Sequence, residues 1–164
     1  MPLITPNIID VEASCLSYNS YPIEIGIVLG SGERYCSLIY PNDDWTDWTE
    51  EAETVHHITR QMLCKHGKPI HQVALELNEF LEGLTVYSDC WVVDNPWVKK
   101  LFYTAKIEQR FQVSALEMIL KEPQMEIWHD TKDRLLKGNE KLRHRATFDA
   151  ALIQQTYTET AKAC

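Results

Sequence analysis

The chain has 164 residues and a formal net charge of −8, a length suited to one domain, residues 1–164, with one core. It has no apolar run of the roughly 20 residues that cross a membrane, and Met1-Pro2-Leu3-Ile4-Thr5 lacks the basic start and apolar stretch of a signal peptide. Cys15, Cys36, Cys64, Cys90 and Cys164 form no Cys-x-x-Cys pair and read as reduced thiols. The expectation is therefore a cytoplasmic protein with no membrane partner, too acidic to coat long nucleic acid by bulk electrostatics.

Residues 4–13 read as a first strand ending in Asp10-Val11-Glu12. Side chains alternate along a strand, so both carboxylates leave the same face, about 7 Å apart. That spacing suits a divalent cation, although an isolated Asp-x-Glu is more often a solvated strand end. Pro22-Ile23-Glu24-Ile25-Gly26-Ile27-Val28-Leu29 is rich in β-branched residues and reads as a second strand. Gly30-Ser31-Gly32 signals a turn, which returns residues 33–40 as a third antiparallel strand. Residues 41–48 are a loop, and residues 51–65 hold two short helical pieces. Asp43, Asp44, Asp47, Glu50, Glu51 and Glu53 make the loop and helix start acidic and solvated. Cys64, His66 and His71 are too irregularly spaced for a zinc site.

From Pro69 the period changes. Ile70, Val73, Leu77, Phe80 and Leu81 follow helical spacing, with Pro69 at the start and Gly83 at the stop. Residues 84–88 are a short buried strand, Asp94-Asn95-Pro96 opens a helix, residues 111–113 give a last strand, and helices dominate from residue 114 onward. A meander followed by strands alternating with helices predicts an α/β domain, its mixed sheet covered on both faces.

Further acids join the argument. Asp94 is an N-cap by residue type, and Asp89, ending the preceding strand, is its rival for a metal role. Asp94 is favoured because a packed helix would hold it rigidly. His144 and Asp149 would lie about 140° apart on one continuous helix, so they converge only if His144 sits in a loop and Asp149 in the first turns. In that arrangement an imidazole titrating near neutrality can take a proton from water. Lys132, Arg134, Lys137, Lys141, Arg143 and Arg145 are six of the 16 basic residues and suggest a local phosphate track around His144.

Asp10-x-Glu12, Asp94 before Pro96-Trp97, and His144-x-x-x-x-Asp149 together resemble the DEDDh 3′-to-5′ exonucleases of the ribonuclease H-like superfamily. Supporting matches are Pro22-Ile23-Glu24-Ile25-Gly26, Val55-His56-His57-Ile58-Thr59 at the family's usual His-Gly-Ile-Thr, and His144-Arg145-Ala146. The resemblance implies a mixed sheet of about five strands, the first three antiparallel. It also implies two Mg²⁺ or Mn²⁺ ions about 4 Å apart on Asp10, Glu12, Asp94 and Asp149, and His144 as general base. The implied substrate is the 3′ end of single-stranded RNA or DNA, or a short oligonucleotide, which releases nucleoside 5′-monophosphates. It places Ala13, Ser14, Cys15 and Leu16 at the terminal nucleotide, Leu16 as a wedge beside the base and Ser14 or its backbone at the sugar. His57 and Arg145 are further substrate-side candidates. Ser14-Cys15 stands where the family often has Thr-Gly, and His57 where it has Gly. Dimeric relatives make a homodimer the expectation by analogy. A silent binding module of the same fold and a dinucleotide phosphodiesterase are the alternatives.

Overall fold

A computed structural model describes residues 4–164; Met1, Pro2 and Leu3, which begin the segment read above for a signal peptide, lie outside the described residues. Strands β1 (Ile8–Ala13), β2 (Pro22–Val28), β3 (Arg34–Leu38), β4 (Thr85–Ser88) and β5 (Gln112–Ala115) form one sheet in the order β3-β2-β1-β4-β5. The first three pair antiparallel, while β4 joins β1 and β5 joins β4 in parallel. The mixed sheet expected from the sequence is the one observed. Its helices are α1 (Glu50–His56), α2 (Arg60–His66), α3 (Ile70–Leu81), α4 (Trp91–Ala105), α5 (Glu122–Leu136) and α6 (Ala146–Ala163). No helix of the described residues is long and apolar enough to cross a membrane.

The strand period of two sorts the central strands into two faces. Ile9, Val11 and Ala13 of β1, with Ile23, Ile25 and Ile27 of β2, join Leu77 of α3 and Val98 and Leu101 of α4 in the larger core. Ile8 and Val28 face the other way, onto Trp128 of α5 and Ala150 and Ile153 of α6. Asp10 and Glu12 share the parity of Ile8, as do Glu24 and Gly26 that of Val28, so these four lie on the α6 side. The register sets Asp10 opposite Gly26 and Glu12 opposite Glu24, and slips between Glu12 and Ala13.

Several boundaries differ from expectation for identifiable reasons. β1 starts at Ile8 rather than residue 4, because Pro6 has no N–H to give a ladder and Asn7 uses its side chain as a clamp instead. Asn7 Oδ1 accepts the Gly30 N–H at 2.9 Å and its Nδ2 donates to the Thr85 carbonyl at 3.1 Å. Helix α4 begins at Trp91, not Asp94, so Pro96 falls inside it. An interior proline costs about 3 kcal/mol, but burial of Trp97, Val98, Leu101 and Phe102 contributes roughly 1.5–3 kcal/mol each and outweighs it. Trp45, in the acidic loop, is buried rather than solvated, its ring stacked 5.3 Å from that of Tyr21.

Gly26 admits α6. A Cβ built there would lie 2.3 Å from the Ala146 carbonyl carbon and 2.3 Å from the Thr147 nitrogen, both backbone atoms with nowhere to move. Gly26→Ala is therefore expected to lose about 1–3 kcal/mol of stability by urea denaturation, the range for an overpacked core; an unchanged midpoint would contradict this close approach.

Candidate active site

Five side chains from four parts of the fold meet in one cleft of about 860 Å³: Asp10 and Glu12 from β1, Asp94 from α4, His144 from the loop before α6, and Asp149 from the first turn of α6. Convergence required His144 in a loop and Asp149 in the first turns of a helix, and the two residues lie in those settings. His144 has a left-handed backbone, φ 63°, and its N–H donates to Asp149 Oδ2 at 3.0 Å. One ligand atom from each of Glu12, His144 and Asp149 lies within 4.8 Å of the others, the only such grouping of potential metal ligands among the described residues. Cys64, His66 and His71 form none.

Asp94 and Asp89 both line the cleft but are held differently. Asp94 is 2% exposed and accepts the Ser88 hydroxyl at 2.6 Å. Asp89 is tied to Lys132 at 2.9 Å, where the cleft adjoins a smaller hollow.

The carboxylates oppose one another. Desolvation, then the charges of Asp94, Glu12 and Asp149, push the Asp10 carboxyl well above its ordinary range. Burial, with Asp149 beside it, lifts Glu12 to about 8, and burial lifts Asp94 to about 7 despite the Ser88 hydrogen bond. Burial also raises Asp149, against the pull of Arg143 and the His144 N–H, and pushes the His144 imidazole below its usual value. Asp10 Oδ2 is a buried oxygen with no hydrogen-bond partner. A hard, oxygen-rich donor set with an orphaned oxygen and mutually repelling charges fits a hard divalent cation.

The remaining expected site residues divide. Ala13, Cys15 and Leu16 line the cleft, Leu16 standing 86% exposed at its mouth. Ser14 does not: its side chain is fully buried, and its Oγ accepts the Tyr21 N–H at 3.1 Å, extending the β1–β2 pairing past the slip in register. The Ser14 hydroxyl is thus engaged within the β1–β2 pairing, which leaves its backbone, the other half of the expectation, as the route to a sugar. His57 is not in the cleft lining either. It caps α1 with φ 58°, the left-handed backbone that suits the family's usual Gly, and lines a separate depression with Trp48 and Arg60. The neighbouring His56 lines the cleft instead, its Nδ1 accepting the Ile58 N–H at 3.0 Å.

Arg145 is likewise not in the cleft lining and grips Glu24. Its Nη2 and Nε donate to the Glu24 carboxylate at 2.7 to 3.2 Å, while the Ala146 N–H donates to Glu24 Oε1 at 2.8 Å. Glu24 was a family match without an assigned task. An acid in an otherwise apolar strand was the signal, because a buried carboxylate requires a cation. The expected phosphate track is largely neutralised, since Lys132, Arg134, Arg143 and Arg145 each pair with an acid. Of the tryptophans, Trp97 lines the cleft and donates to Ser20 Oγ at 2.8 Å, while Trp91 bonds the Val113 carbonyl.

Glu12 and Asp94 hold their protons more tightly folded than unfolded. Without metal, their contribution to stability is full below the ordinary values of 4.5 and 3.8 and is lost as pH rises through about 7 to 8. The melting temperature in EDTA should fall across that interval, less steeply in Glu12→Gln, which removes one of the two titrating carboxyls, and Mn²⁺ should raise it most at the upper end. A fall equally steep in Glu12→Gln would contradict the raised Glu12 carboxyl. His57→Gly should gain about 1 kcal/mol by relieving the left-handed backbone, read by chemical denaturation.

The family model described as Exonuclease, of the RNase T group, matches residues 8–157. No curated protein sequence matches the chain. Among solved structures, E. coli exonuclease I in complex with a dA16 oligonucleotide is similar at a TM-score of 0.70 and 12% identity, over 94% of this chain and 40% of that one. The zinc-bound form of the E. coli exonuclease I complex with single-stranded DNA gives 0.70 and 13%, over 96% and 41%. Exonuclease I from Methylocaldum szegediense gives 0.57 and 17%, over 81% and 30%. This chain thus spans about two-fifths or less of the exonuclease I chains it resembles, and at these identities the likeness is one of fold. The match over residues 8–157 shows that the chain belongs to the exonuclease family of the RNase T group.

Proposed function

We propose that the chain is a single metal-dependent exonuclease domain that hydrolyses phosphodiester bonds from the 3′ end of single-stranded RNA or DNA, or of short oligonucleotides, and releases nucleoside 5′-monophosphates. The observation that carries this reading is the convergence of Asp10, Glu12, Asp94, Asp149 and His144 in one cleft. Asp10, Glu12, Asp94 and Asp149 would hold two divalent cations. Bound there, such cations supply an activated water and charge stabilisation for the leaving oxygen.

His144 is the proton acceptor. Burial favours its neutral imidazole, the form that can accept a proton from water. Its loop position, outside the regular helix, lets it act at the edge of the carboxylate group. Leu16, Cys15, Ala52, Val55 and Val93 give the cleft an apolar wall, on which a terminal base packs without being read by hydrogen bonds. The net charge of −8 favours short or single-stranded substrates, because a long duplex would require more phosphate neutralisation.

A time course on matched RNA and DNA 12-mers and a dinucleotide, with Mg²⁺, Mn²⁺ or EDTA, tests the reading. Stepwise shortening from the 3′ end that stops in EDTA is expected. Asp10→Asn should abolish it without unfolding the chain. His144→Ala should slow it by about 10²–10⁴-fold while Mn²⁺ affinity is mostly kept. Metal-dependent shortening that survives in Asp10→Asn would refute the assignment, and a collapse of Mn²⁺ affinity in His144→Ala would make His144 a ligand rather than a base.

A further inference from the structure

A phosphodiester enters this cleft against the cleft's own charge. The lining carries six carboxylates, Asp10, Glu12, Glu51, Asp89, Asp94 and Asp149, and among the described residues one permanent cation, Arg143. The other basic residues of the same span are committed elsewhere or lie outside the lining: Lys132 to Asp89, Arg134 to Glu159, and Arg145 to Glu24.

Arg143 is held in an unusual way. Its Nε stands 2.9 Å from Asp149 Oδ1, yet the N–H is not aimed at the oxygen, and neither of these buried atoms makes a hydrogen bond. The attraction is Coulombic, and it leaves the donor capacity of the guanidinium unspent. A planar fork of five N–H donors matches the oxygens of a phosphate better than any other side chain does. The backbone fixes where this fork starts. Arg143 follows the single turn Glu140–Leu142, its own N–H bonds the Glu140 carbonyl at 3.3 Å, and it immediately precedes His144. A charge anchored beside Asp149 therefore sits next to both the proton acceptor and one of the carboxylates.

We propose that Arg143 is a substrate-binding residue, its guanidinium taking a non-bridging oxygen of the phosphate that enters the cleft and holding it beside His144 and Asp149. This rests on the nuclease reading above for the substrate class. A mere counter-ion to Asp149 would behave differently: whatever its loss did to metal binding, it would leave phosphate recognition alone.

Binding of deoxyadenosine 5′-monophosphate and of deoxyadenosine, each with Mn²⁺ present, separates the two roles in the full chain and its Arg143→Gln and Arg143→Lys variants. The monophosphate should bind Arg143→Gln about tenfold or more weaker, the loss expected for hydrogen bonds to a charged group, and Arg143→Lys by an intermediate amount. The nucleoside should bind all three equally. Mn²⁺ affinity measured without nucleotide should be unchanged or tighter, and circular dichroism confirms that the variants are folded. No monophosphate binding by the parent chain, no loss in Arg143→Gln, an equal loss for the nucleoside, or a loss explained wholly by weaker Mn²⁺ binding overturns the proposal. Oligonucleotide hydrolysis by the parent chain is scored separately. Its absence would remove the nuclease reading, while a phosphate-dependent difference among the Arg143 variants would still stand.

Discussion

The cleft depends on one piece of docking, the seating of the α6 N-terminus on β2. Two residues two apart on the same face of β2 accomplish it. Gly26 presents no side chain, so the backbone at Ala146 and Thr147 comes as close as packing permits, and Glu24 reaches up to hold Arg145 and the Ala146 N–H. Glu24 is 1% exposed, and an unpaired carboxylate so buried would cost several kcal/mol. A paired guanidinium and a helix N–H satisfy it. Directly across the ladder, Glu24 faces Glu12 and Gly26 faces Asp10, so the grip that seats the helix also sets His144 and Asp149 over the β1 carboxylates.

That geometry stores electrostatic tension. A core is ordinarily built to avoid like charges in low dielectric, yet here burial and mutual repulsion lift Glu12 to about 8 and Asp94 to about 7. The arrangement holds because each acid sits on a rigid support. β1 is buried in the sheet, Asp94 is anchored through Ser88, and Asp149 is restrained by the His144 N–H. The left-handed backbone at His144 belongs to the same pattern, strain kept at a site by the packing around it. Groups whose ordinary charge state is suppressed and whose oxygens lack donors are prepared to bind cations.

Much of this was legible along the chain. The period of two in Ile8-Ile9-Asp10-Val11-Glu12 put both acids on one face, and the five-residue spacing of His144 and Asp149 required a loop followed by a helix. The strands and the antiparallel start of the sheet followed from β-branched runs and the Gly30-Ser31-Gly32 turn. Less legible were residues whose task lies across the fold. His57 and His56 are adjacent, and only the left-handed cap between α1 and α2 decides which of them meets the cleft. Ser14 and Cys15 likewise part company because the slip in register after Glu12 turns the serine into the β1–β2 pairing.

By itself the sequence determined the fold class, put Asp10 and Glu12 on one strand face, and showed that His144 and Asp149 could meet only across a loop and a helix start, because those follow from side-chain type and local period. Tertiary structure alone decided that Lys132 ties up Asp89 while Ser88 anchors Asp94, that Arg145 serves Glu24, and that Arg143 stands in the cleft with its Nε making no hydrogen bond. Which opposite charge a side chain meets depends on distances between segments far apart in the chain. No local pattern encodes those distances; they are set when the helices close over the two faces of the sheet.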